Sequence, residues 1–146
     1  MRSKALLVLL PLSLLAAEAA QDTAKEDLKK LEGAWVMVSG EDKGEKLSEQ
    51  TIKSAKLTLV GDKHTVKVGT DTIIGTHKLD PSKKPKEIDA MDTEGPFKDK
   101  TGLGIYKLEG DQFTVCFAPP GKDRPKEFTT KSGSGQLLHV WKRDKK

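Results

Sequence analysis

From Gly33 onward the chain is a succession of short runs that alternate apolar with polar residues, each cut off by turn-forming residues. No connection between them carries a helical pattern long enough to return the chain for a parallel neighbour, which takes a dozen or more residues. The pattern predicts eight strands: 35–39, 55–60, 64–68, 72–79, 86–91, 103–108, 112–118 and 136–143. Leu57 and Leu59 flank Thr58, Val66 and Val68 flank Lys67, and Phe113, Val115 and Phe117 flank Thr114 and Cys116. Such strands bury one face and wet the other. Gly61-Asp62 and Gly110-Asp111 sit in connections tight enough for hairpins, so the strands wind antiparallel and in sequence. Eight such strands can stack as a sandwich or close on themselves; closure removes both exposed edges and gives about the smallest barrel that can hold its own side chains and one small ligand. The expected fold is therefore all-β, an eight-stranded antiparallel up-and-down barrel.

In that order, three long connections, residues 40–54, 92–102 and 119–135, gather on one rim. Long loops on a rigid scaffold are where binding usually resides. Their acidic and basic residues cancel, so the mouth is no dedicated trap for anions or cations.

Ahead of the strands, residues 22–32 read as a short N-terminal helix. Thr23 and Glu26 form a capping box, Ala24, Leu28 and Leu31 share a face, and Gly33 stops it. A single turn of helix is expected near 48–53, capped by Ser48. Before these, Arg2 and Lys4 lead into an apolar run of 13 residues, 5–17, which ends on the small Ala17, with Ala19 two residues further on. Residues 1–19 read as a secretory signal peptide, because the run falls short of the roughly 20 residues that span a bilayer. The expected mature domain is 20–146, periplasmic or secreted, monomeric and without stable membrane insertion.

Composition excludes several classes of chemistry. One cysteine permits no internal disulfide framework, and the absence of Asn removes N-glycosylation and Asn-dependent catalysis. The net charge of +4 is spread through alternating signs, as in EDKGEK at 41–46, so nucleic acid is not an expected partner.

Gly33-Ala34-Trp35, opening the first strand after a short helix, resembles the G-x-W signature of lipocalins, and the last strand ends Trp141-Lys142-Arg143. The resemblance implies that Trp35 sits at the closed base with Arg143 packed across it, a clamp of Gly33, Trp35 and Arg143. Stretches 30–47, 78–128 and 132–143 are similar to an uncharacterised planctomycete lipocalin-like domain family. That resemblance implies a small extracytoplasmic barrel and brings no catalytic, cofactor-binding or metal residues with it.

The remaining chemistry-bearing residues read as structural. His64, His77 and His139 fall on three strands, and no close-spaced pair favours a metal over separate, solvated or hydrogen-bonded histidines. Glu87, Asp89, Asp92 and Glu94 read as a solvated outer face. Cys116 reads as a small buried hydrophobe, with an intermolecular disulfide as the alternative. No nucleophile, base and oxyanion arrangement can be named, so no enzyme is expected.

Two functions compete. One is an exported binding module that takes a small apolar or amphipathic molecule into the barrel, lined by Met37, Leu57, Leu59, Val66, Val68, Phe113, Val115 and Phe117. The wider inward set adds Trp35, Ile88, Leu138 and Val140. The other is an interaction or envelope-structural domain with a filled barrel, contacting a protein partner through Phe97 and the proline-bearing loop. An interior void decides between them: below roughly 300 Å³, the low end for ligand pockets, the carrier idea fails.

Overall fold

The structure, a computed structural model, describes residues 12–145, with side chains described from residue 21 onward. The expected leader and its cleavage point lie outside the residues whose side chains are described. Helix α1 (Leu12–Leu31) leads into strand β1 (Gly33–Asp42) and the two-residue strand β2 (Glu45–Lys46). Helix α2 (Glu49–Ser54) follows. The remaining strands are β3 (Lys56–Val60), β4 (Lys63–Val68), β5 (Asp71–Asp80), β6 (Lys86–Glu94), β7 (Thr101–Glu109), β8 (Gln112–Phe117) and β9 (Leu137–Arg143). Every pairing is antiparallel, in the order β1, β3, β4 and so on to β9, and β1 pairs back with β9 to close an eight-stranded barrel.

Strand β2 is an addition to the expected eight. It folds back on β1 through Lys43 and Gly44, both at positive φ (54° and 86°), as a tight hairpin turn of the primed type requires. Helix α2 forms as expected, with the Ser48 hydroxyl accepting from the Thr51 amide at 3.1 Å. Thr23 and Glu26 lie within α1 rather than at its start.

One end of the barrel is plugged. Trp35 is fully buried, its indole N–H donates to the Leu31 carbonyl at 2.8 Å, and its ring packs 5.9 Å from that of Phe113. The Arg143 guanidinium lies 4.4 Å above the Trp35 ring. Its two terminal nitrogens donate to the carbonyls of Glu32 (2.9 Å) and Lys30 (2.6 Å), and its Nε to Asp111 (3.2 Å). Carbonyls at the end of a helix have no partner within it, and a cation there is favourable. A single side chain thus caps α1, covers the indole and closes the seam between β1 and β9. Gly33 sets the turn from α1 into β1: its φ of 124° is a glycine conformation, and a Cβ there would only touch the Arg143 guanidinium at 3.5 Å.

Asp27 bolts α1 down a second time. Its buried carboxylate accepts from the Tyr106 hydroxyl at 2.7 Å and from Lys86 Nζ at 2.9 Å. Burial first, and then the bond to Asp27, push the Tyr106 phenol above its ordinary range. A buried carboxylate is tolerated only with such partners.

Candidate functional site

Above the plug the barrel encloses a cavity of about 350 Å³. Leu57, Leu59, Val66, Val68, Phe113, Val115 and Phe117 line it, along with Ile88. Met37 does not. It is buried, but it packs with Gly40 and Leu47, beneath the fold-back of the chain into β2. Leu138 and Val140 also depart from the inward set. Leu137, His139 and Trp141 face the cavity instead, and Leu138 lies on the outer wall. The register explains the parity: Arg143 pairs directly with Trp35, and Trp141 with Met37, so the odd-numbered residues of β9 share their inward face.

The mouth is framed by residues of all three long connections: Asp42 and Lys43 from the first, Phe97 and Lys100 from the second, Pro119 and Pro120 from the third. Phe97 is 42% exposed at this rim. A wider depression lies on the outer wall between β2 and residues 128–132, but it is open to solvent and lined mainly by polar groups. The barrel cavity, more enclosed and mostly apolar, is therefore the better candidate for a ligand.

One wall carries the cavity's polar chemistry. His64, which shares the inward face of β4 with Val66 and Val68, donates or accepts at both ring nitrogens: Nε2 lies 2.9 Å from Asp92 Oδ1 and Nδ1 lies 3.2 Å from Nδ1 of His77. The two rings stack at 5.4 Å. Asp92 is thus no part of a solvated outer face. Strand β6 runs on to Glu94, and its alternation places Asp92 inward with Ile88 and Ala90. Glu87 and Asp89 do face outward, where Arg124 of the long connection clamps them, with its Nη2 on Asp89 at 2.6 Å. Nor are the three histidines separate. All face the cavity, two in direct contact, although among the described residues no group of three ligand-type side chains is placed to hold a metal ion.

Burial, aided by the neighbouring His64, drives the His77 pKa down to about 4, against the Asp62 charge and the Gly61 backbone. Burial also pushes His139 down to about 4, opposed by Asp42; its ring meets Trp141 edge-on at 6.0 Å. Cys116 is fully buried beneath the 119–135 connection, with the Glu127 and Thr129 carbonyls beside its sulfur, and burial pushes its thiol pKa up. It packs as the small buried group expected, and the burial argues against a bridge to another chain.

Gly75 makes the wall possible. At the β5 irregularity opposite Asp92, a Cβ would run into the Met91 carbonyl, stand 2.8 Å from His64 Nε2 and 2.9 Å from the Asp92 Cα. Two of these neighbours are backbone and cannot step aside. Gly75→Ala is expected to cost about 1–3 kcal/mol through overpacking and to break the His64 to Asp92 contact. Urea unfolding measures the first effect and imidazole NMR the second; unchanged values in both would contradict the geometry.

Fold and site together define a closed antiparallel barrel with a plugged base and a largely apolar cavity, open at its mouth, bearing one polar wall. Comparison with protein-family models, curated proteins and solved structures finds no match to this chain.

Proposed function

We propose that the chain is an exported, lipocalin-like binding module whose barrel takes up one small, largely apolar molecule through the loop-framed mouth. The cavity carries this reading. Its volume of about 350 Å³ exceeds the roughly 300 Å³ at which ligand pockets begin, and its walls are mostly aliphatic and aromatic. At roughly 30 Å³ of liquid volume per water-sized unit, it matches a molecule of about a dozen non-hydrogen atoms. The basic start and the 13-residue apolar run at 5–17 support export. A filled barrel working only through its loops is disfavoured by the same void.

Native mass spectrometry of the protein recovered from cells that make it tests the reading. The wild type is expected to retain a small non-covalent mass. Ala90→Phe, which pushes a ring into the cavity from β6, is expected to lose it while keeping its fold. Bare wild-type protein that also takes up no butylbenzene from a saturated solution would end the carrier reading.

A further inference from the structure

We propose that the cavity selects an apolar molecule carrying a hydrogen-bond donor, an alcohol or phenol hydroxyl, which docks on Nε2 of His77. The inference rests on the carrier reading above and adds the chemical class of the ligand. His77 is only 4% exposed and lines the cavity, and its Nε2 has no hydrogen-bond partner among the described residues. A buried polar atom without a partner costs about 1–3 kcal/mol, so a ligand group that satisfies it recovers a penalty the empty barrel bears.

Whether that nitrogen accepts or donates is decided two residues away. The Asp92 carboxylate can only accept, so Nε2 of His64 carries a proton toward it across 2.9 Å. In the proposed arrangement Nδ1 of His64 is the acceptor facing Nδ1 of His77 at 3.2 Å. That contact is a hydrogen bond only if His77 donates from Nδ1, which leaves its Nε2 unprotonated. The order carboxylate, His64, His77 thus leaves an unpaired acceptor on a side chain that lines a mostly apolar chamber. An ionised carboxylate ligand would set lone pair against lone pair there. An ammonium would bring a charge that one neutral acceptor cannot satisfy in apolar surroundings. A hydroxyl supplies one donor and no charge.

Calorimetric titration with para-butylphenol and with butylbenzene, two probes of nearly equal shape, tests this. The phenol is expected to bind roughly three- to tenfold more tightly, the range a net hydrogen bond supports. In His77→Phe the preference is expected to vanish or reverse while butylbenzene still binds. Nitrogen NMR of the unmutated protein gives a second reading that does not depend on the variant's folding. His77 Nε2 is expected to be unprotonated, and to shift with para-butylphenol but not with butylbenzene. Equal binding of the two probes, or a protonated Nε2, would overturn the donor preference and leave the carrier reading standing. Binding of neither probe would overturn both.

Discussion

Trp35→Ala is expected to lower the unfolding free energy by about 3–5 kcal/mol, the range for truncating a fully buried large aromatic. The reason is positional as well as volumetric. The indole fills the base against Phe113, anchors the end of α1 through its bond to Leu31, and is the surface on which Arg143 rests. Removing it leaves a void at the one place where the helix, the first strand and the last strand meet. The guanidinium alone contributes roughly 0.5–2 kcal/mol through the ring face, and that is lost with the ring. Domains of this size are usually stable by only about 5–15 kcal/mol, so the variant should unfold at markedly lower urea concentration. A loss below about 1 kcal/mol would mean that the base is not where the barrel is held shut.

Acidification is expected to destabilise the protein steeply between pH 6.5 and 4, and the effect should trace to His77 and His139. Both have pKa values pushed from 6.5 down to about 4 by burial. A base whose folded pKa is depressed resists protonation only while folded. Above pH 6.5 neither state takes the proton and stability is full; as the pH falls, the unfolded chain is protonated first and stability drains away. The loss stops growing near pH 4, where the folded histidines protonate too. At about 1.4 kcal/mol per pH unit, His77 alone accounts for about 3 kcal/mol, and His139, which is more exposed, for less. Urea unfolding across this range should show a falling midpoint with an unchanged slope, and His77→Gln should flatten the curve. A flat wild-type profile would contradict the burial of these rings.

Much of the site follows from alternation alone, and its errors follow from stopping the alternation too soon. If Val66 and Val68 face inward, so does His64; if Ile88 does, so does Asp92, provided the strand runs on. The predicted strand ended at residue 91, and the observed β6 reaches Glu94, which is what carries the carboxylate inside. The last strand held its own correction. An Arg143 that lies on Trp35 requires residues 141, 139 and 137 to face inward, not Leu138 and Val140. Met37 misses the cavity for a different reason. It keeps its inward face opposite Trp141, but the fold-back into β2 brings Leu47 in beside it at Gly40, a long-range contact that no periodicity anticipates.

Eight short runs, several of them alternating, with tight turns and no crossover helix already favour an antiparallel barrel over a sandwich, because closure removes the edges and period-two burial leaves one face to hide. The G-x-W start and the terminal arginine likewise point to the clamp at the base. Long-range geometry alone decides that the interior keeps a void of about 350 Å³, because the volume left over depends on how eight tilted strands nest rather than on which residues point inward. It alone brings His64, His77 and Asp92, spread over three strands, within hydrogen-bond distance, since local patterning fixes the face of each side chain but not the register and bulge that set its height on the wall.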